Sequence, residues 1–137
     1  MARPLGDGVL VSGQIAPADI AGFAAAGVTR IVNNRPDGEE AGQPSGAEIE
    51  AAARAAGLDY AFIPIGGGIS DAQIAAMEAA LVDTEGDVLL FCRSGTRSTY
   101  AWALARARQG ADPEQLALQA AQAGYDLAPI RRWLRRG

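Results

Sequence analysis

Four consecutive apolar residues, Val88 to Phe91, lead straight into Cys92-Arg93-Ser94-Gly95-Thr96-Arg97-Ser98 and then into a helical pattern. A run that short, and apolar on both faces, predicts a central parallel strand covered on each side by helices. The rest of the chain supplies matching pieces. Val9 to Ser12, Thr29 to Asn33 and Tyr60 to Ile63 read as further strands. Between and after them, Pro17 to Ala26 and Ala47 to Ala56 read as helices closed by Gly27 and Gly57. A third helix is opened by Ser70 with Gln73, and a fourth runs from Ser98 to Gln109. A fifth starts at Asp112-Pro113 with Gln115 and ends at Gly124, and a short one spans Leu127 to Arg136. The expected fold is a single α/β domain over residues 1–137, with a parallel central sheet of about four to five strands flanked by helices. Such sheets bind ligands beyond the carboxyl ends of their strands, which is where Cys92 lies.

Composition removes many chemistries. All 12 basic residues are arginine, and the chain has no lysine or histidine. Without histidine there is no protease triad of the usual type and no histidine metal site. Without lysine there is no Schiff base and no Walker-type phosphate loop. A single cysteine excludes an internal disulfide and a metal site of several thiolates, so no metal or other cofactor is expected. The cytoplasm is the default location, since no export signal or membrane span is legible. A net charge of −4 argues against nonspecific nucleic-acid binding, so a small anionic substrate would need local positive charge.

A strand entering the Cys92 to Ser98 loop and leaving into a helix has the geometry of an anion cradle. Backbone N–H groups turn inward, and the helix N-terminus adds its positive dipole. The same field favours thiolate over thiol, which makes Cys92 the candidate nucleophile. Arg93 and Arg97 reinforce the positive field, and Arg97 has the fork that grips an oxyanion. Gly95 lets the backbone curl, while Ser94, Thr96 and Ser98 offer hydroxyls to the thiolate or the ligand. A buried cysteine with no chemical role is the plain alternative, but it would have no use for two arginines and a glycine at these offsets.

From Val9 onward the chain resembles the phosphatase-like domain of beta-lactamase-hydrolase-like proteins. The matching stretches are Ile31-Val-Asn-Asn-Arg-Pro-Asp-Gly-Glu-Glu40, Gly42-Gln-Pro-Ser45, Ile63-Pro-Ile65 with its glycine run, Phe91 to Ser98, and Ala123-Gly-Tyr-Asp126. The resemblance implies the fold of the tyrosine and dual-specificity phosphatases. Members of the family are named both phosphatases and sulfurtransferases, so it leaves the reaction open.

Two local features favour sulfur transfer. Four residues separate Cys92 from Arg97, as in rhodanese-like loops, whereas the phosphatase signature is one residue longer. The tighter cradle suits a terminal sulfur carried as a persulfide better than a phosphoryl group with its equatorial oxygens. Resembling phosphatases also place a proton-donating aspartate after the third strand; here that place holds Gly66 to Gly68. Asp71 lies close by as a possible general acid, although a carboxylate at a helix start is commonly a dipole partner. The histidine that usually precedes the cysteine is replaced by Phe91.

The expected activity is therefore a rhodanese-like sulfurtransferase. Cys92 takes sulfur from thiosulfate or a low-molecular-weight persulfide and passes it to an acceptor thiol or cyanide. A dual-specificity-type phosphatase acting on a phosphate ester is the alternative, and an inactive anion- or persulfide-binding module a third. The family resemblance further implies sulfide oxidation or sulfur trafficking, alongside a metallo-beta-lactamase-like sulfur-oxidising enzyme.

Weaker signals surround this core. Asn34 and Arg35 follow the second strand and should share the sheet edge with Cys92. Arg35 would bind the distal end of an anionic donor and Asn34 would fix a loop, unless Arg35 only pairs with Asp37 in a turn. The segment from Asn34 to Gly46, with two prolines, three glycines and three carboxylates, reads as a long functional loop. Arg131, Arg132, Arg135 and Arg136 make a cationic helix end, and Trp102, Trp133 and Tyr125 read as packing residues.

Overall fold

A computed structural model describes residues 2–134. Five strands form one sheet in the order β1-β2-β5-β3-β4, where β1 is Arg3–Gly6, β2 Val9–Ser12, β3 Val28–Asn33, β4 Asp59–Phe62 and β5 Asp87–Phe91. The apolar run preceding Cys92 is the central strand, as its double-sided hydrophobicity requires. It pairs in parallel with β2 on one side and β3 on the other. Side-chain alternation then divides the core. Val88 and Leu90 face one layer with Val11, Val32 and Trp102, while Leu89 and Phe91 face the other with Ile20, Ile31 and Ile49. Leu89 and Leu90 are both fully buried, each worth about 1.5–3 kcal/mol in removed apolar surface.

The helices are α1 (Ile20–Ala25), α2 (Gly46–Ala55), α3 (Asp71–Ala80), α4 (Thr96–Arg108), α5 (Pro113–Gln122) and α6 (Arg131–Leu134). The α3 start bears the expected capping box, with Ser70 Oγ accepting from the Gln73 amide and Gln73 Oε1 accepting from the Ser70 amide. Asp112 caps α5 by accepting from the Gln115 amide. The first predicted helix is split, with a 3-10 turn at Pro17–Asp19 before α1.

One strand escapes the sequence reading. β1 pairs antiparallel with β2 around the turn Asp7-Gly8, where both residues have positive φ, 55° and 78°. Asp-Gly between extended segments is a strong hairpin signal, and Pro4 is tolerated because β1 is an edge. A second difference lies at α4, which begins at Thr96, two residues before the expected Ser98. The Gly95 carbonyl receives both the Thr99 amide (2.9 Å) and the Thr99 hydroxyl (2.8 Å), so the first turn closes directly on the loop.

Trp102 is buried as expected, but Trp133 is 48% exposed and lies with the Arg132 guanidinium 4.3 Å from its ring centroid. The cationic helix end is also tied down, because Arg131 donates to Glu114 at 2.6 Å. Arg135 and Arg136 lie outside the described residues. Among the described residues no helix is long and apolar enough to cross a membrane.

Candidate functional site

Because β2, β3, β4 and β5 run parallel, the segments that leave them converge on one edge of the sheet. Cys92 follows β5 there and is fully buried, with the Gly95 amide donating to its Sγ at 3.1 Å. Gly95 takes φ +94°, a conformation open to glycine, and a Cβ on it would fall 2.1 Å from the Tyr125 hydroxyl. That hydroxyl donates to the Ser94 carbonyl at 2.9 Å, holding the loop from outside. Tyr125, read from sequence as packing, is thus also a support of the loop. Burial, and after it the charge of the nearby Cys92, raises its phenol above the ordinary range. On the β2 side, a Cβ on Gly13 would meet the Arg93 carbonyl at 2.9 Å, and the Gln14 amide donates to that same carbonyl at 3.1 Å.

Behind the loop, Ser98 and Asn34 are fully buried and bonded to each other, Ser98 Oγ donating to Asn34 Oδ1 at 2.8 Å. Asn34 Nδ2 donates to the Ile63 carbonyl at 2.9 Å. These two residues therefore join α4 to the ends of β3 and β4. Ser94 and Thr96 remain at the surface of the loop, where the Ser94 hydroxyl donates to that of Thr96 at 3.1 Å.

An ion network forms the mouth. Arg97 sits in the first turn of α4, where the helix dipole disfavours a cation, and it is compensated by Glu39 through two bonds of 2.7 and 2.9 Å. It also donates to the Ile65 carbonyl at 2.7 Å. Arg35, 2% exposed, donates to Glu39 and Glu40, each at 3.0 Å, and to Gln14 Oε1 at 2.9 Å. Arg93 reaches Glu40 at 3.6 Å. Its partners being Glu39 and Glu40, Arg35 does not make the Asp37 pair of the plain turn reading. Asp37 instead accepts from the Gly46 amide at 2.7 Å, closing the long loop onto α2.

The titration behaviour follows from these contacts. Hydrogen bonding to Arg97, against a smaller opposing effect of burial and with help from Arg35, lowers Glu39 from 4.5 to about 2. The bond from Arg35 lowers Glu40 as well. Burial alone would lower the Arg35 pKa, but its bonds to Glu39 and Glu40 outweigh that and raise it. Arg97 is raised chiefly by Glu39, with a further contribution from Cys92 that marks the guanidinium as a neighbour of the sulfur. At neutral pH both carboxylates are thus ionised acceptors, leaving no proton on them to give.

Arg35, Glu39, Glu40, Gly66, Arg93 and Arg97 line an open cavity of about 520 Å³ above the loop. Asp71 does not line it. It heads α3, is ion-paired with Arg108 and faces a second cavity. Arg35, Arg93 and Arg97 meet at this cavity, Cys92 lies buried at the end of β5, and Ser94 and Thr96 bond to each other outside the cavity lining. Ser98, expected to offer its hydroxyl to the thiolate or the ligand, instead spends it on Asn34, and the two form the buried brace. Glu39, Glu40, Gln14 and the Ile65 carbonyl are the contributors that sequence reasoning missed. The adjacent carboxylates at the same sheet edge as two arginines were the available signal.

Comparison with known proteins agrees with this architecture. Residues 2–109 match the family described as "Beta-lactamase hydrolase-like protein, phosphatase-like domain". The Beta-lactamase hydrolase-like protein of Agrobacterium fabrum is 39% identical over 131 residues, covering 92% of this chain and 30% of that protein. The chain thus spans less than a third of the length of this curated relative. Among solved structures, a candidate phosphatase from Neisseria meningitidis superposes with a TM-score of 0.83 at 30% identity, over 96% of this chain and 94% of the other. Tk-PTP in its active form gives 0.72 at 18% identity, over 97% and 92%, a likeness of fold. The chain belongs to the beta-lactamase hydrolase-like, phosphatase-like domain family, and its fold is that of the tyrosine and dual-specificity phosphatases.

Proposed function

We propose that this member of the family is a cysteine-dependent sulfurtransferase. The observation that carries the reading is the six-residue Cys92–Arg97 loop, closed on the sulfur by the Gly95 amide, with the two carboxylates of its mouth, Glu39 and Glu40, held ionised by arginines. The Cys92 thiolate attacks the outer sulfur of thiosulfate or of a persulfide. The S–S bond of the donor breaks, sulfite or a thiolate leaves with its electron pair, and a Cys92 persulfide forms. An acceptor thiolate or cyanide then attacks the outer sulfur of that persulfide and regenerates the Cys92 thiolate. These leaving groups depart as stable anions and need no acid. Arg97, Arg93 and the loop amides balance the negative charge throughout.

Phosphoester hydrolysis is the second reading, and the family's description and its solved neighbours support it better than they support sulfur transfer. In that reaction Cys92 would attack phosphorus and the departing oxygen would need a proton. Asp71 would have to supply it after release from Arg108. For sulfur transfer we propose that the chain acts with a metallo-beta-lactamase-like sulfur-oxidising enzyme.

The test compares wild type with Cys92→Ser in two assays: sulfur transfer from thiosulfate or glutathione persulfide, and hydrolysis of an aryl phosphate. Saturable sulfur transfer that disappears in the variant is expected. Cysteine-dependent phosphate release without sulfur transfer would replace the first reading with the second.

A further inference from the structure

A second cavity, also about 520 Å³, adjoins the mouth and shares Arg97 with it. Its size falls in the range of small-molecule sites. Its walls are largely apolar: Tyr100 and Leu104 follow Arg97 along one face of α4, opposite Ile74 of α3, with Ile130 and the exposed Trp133 closing the far side. The Asp71–Arg108 pair supplies its charged edge.

The boundary between the two cavities is Gly66-Gly67-Gly68, Gly66 lining the first and Gly67 and Gly68 the second. None of the three has a positive φ, and a Cβ built on any of them meets nothing within 4 Å. Neither backbone conformation nor packing therefore calls for glycine here, in contrast to Gly13 and Gly95. What the run does provide is a side-chain-free shelf between the reactive loop and an apolar chamber.

We infer that the chamber is the subsite for an apolar organic group on the sulfur donor, making the preferred donor an aryl or bulky alkyl thiosulfonate or persulfide rather than inorganic thiosulfate. The inference rests on the sulfur-transfer reading for its chemistry. For a thiosulfonate, Cys92 thiolate attacks the outer sulfur, the S–S bond breaks, and the organic sulfinate leaves with the electron pair as the Cys92 persulfide forms. The anionic head stays at Arg97 and the loop while the organic group crosses the glycine shelf.

Binding tests the subsite without relying on turnover. Benzenesulfonate and methanesulfonate carry the same anionic head and differ in the apolar group. Calorimetry should show the aryl anion binding about tenfold more tightly, the discrimination expected of an apolar pocket. Gly67→Leu, which fills open space, and Trp133→Ala, at an exposed position, should each erase most of that preference. The ratio of kcat/KM for benzenethiosulfonate over methanethiosulfonate should fall in parallel. Equal binding of the two sulfonates to wild type, or a preference that survives both substitutions, overturns the subsite. A preference lost in both variants without sulfur transfer from either donor sustains the subsite while refuting sulfur-transfer chemistry.

Discussion

Replacing Glu39 with glutamine removes the charge that joins Arg97 to Arg35 while keeping a side chain of nearly the same shape. Lowering Glu39 from 4.5 to about 2 corresponds to roughly 3 kcal/mol of preferential stabilisation of the carboxylate in the folded protein. Because the residue lies at an open mouth, solvent screening reduces this to about 1–2 kcal/mol. Glu39→Gln should therefore lower the melting temperature at pH 7 by about 3–6 °C for a domain of this size.

The pH dependence gives a sharper test. A carboxylate with a depressed folded pKa contributes its full stability above the unfolded value, here 4.5, and loses it as pH falls through about 2. The stability gap between wild type and Glu39→Gln should be constant from pH 7 to about 5, shrink between 4.5 and 2, and close near 2. Urea titrations of both proteins at pH 7, 5, 3.5 and 2.5 measure that difference, and titration of the carboxylates remote from Glu39 cancels between them, Glu40 being the neighbour whose titration changes with the Glu39 charge. A gap that stays constant to pH 2.5 would refute the assignment of the stabilisation to the Glu39 charge.

Three further substitutions probe the loop and its brace. Ser98→Ala leaves Asn34 Oδ1 buried without the Ser98 hydroxyl and should cost about 1–3 kcal/mol in chemical denaturation. Gly95→Ala forces a Cβ into left-handed backbone against Tyr125 and should cost at least about 1–2 kcal/mol, with loss of activity even where the protein still folds. Tyr125→Phe removes the bond to the Ser94 carbonyl and should cost about 0.5–1.5 kcal/mol. Since the Tyr125 phenol is raised in the folded protein, its contribution should be complete below pH 10 and fade as pH rises through the folded value, which thermal melts of wild type and variant would reveal.

The central strand, the parallel sheet and the loop around Cys92 were legible because each is encoded over a few adjacent residues. Apolar residues on both faces mark β5, and Cys-Arg-Ser-Gly-Thr-Arg between strand and helix marks the cradle. The Asp7-Gly8 hairpin was equally local, but β1 is an edge strand carrying Arg3 and Pro4, so its apolar signal is weak. What sequence spacing does not contain is partner choice among charges. Arg35 lies two residues from Asp37 and four from Glu39, yet Asp37 is committed to the Gly46 amide, and the turn at Gly38 directs Glu39 and Glu40 toward the arginines. Trp133 illustrates a similar gap: its apolar character points inward, but its exposure is set by where α6 meets the chamber beside α4.

The same charge pairing bears on which chemistry the mouth can support. Three arginines supply positive charge around the loop, but Glu39 and Glu40 neutralise two of those charges before any substrate arrives. Two loop amides are also engaged within the loop, that of Gly95 with Sγ and that of Thr96 with the Ser94 hydroxyl at 3.4 Å. A doubly charged phosphoryl group with three equatorial oxygens would have to compete with the carboxylates for Arg97 and draw donors away from both internal bonds. A sulfur added to Cys92 brings one diffuse negative charge and can keep the Gly95 amide as its donor. Freeing Arg97 from Glu39 should then help oxyanion binding more than it helps persulfide formation. In Glu39→Gln, affinity for sulfate should rise while the rate of persulfide formation from an alkyl persulfide, which carries no oxyanion group, stays level or falls. Equal gains in both would show that the carboxylate merely obstructs the site.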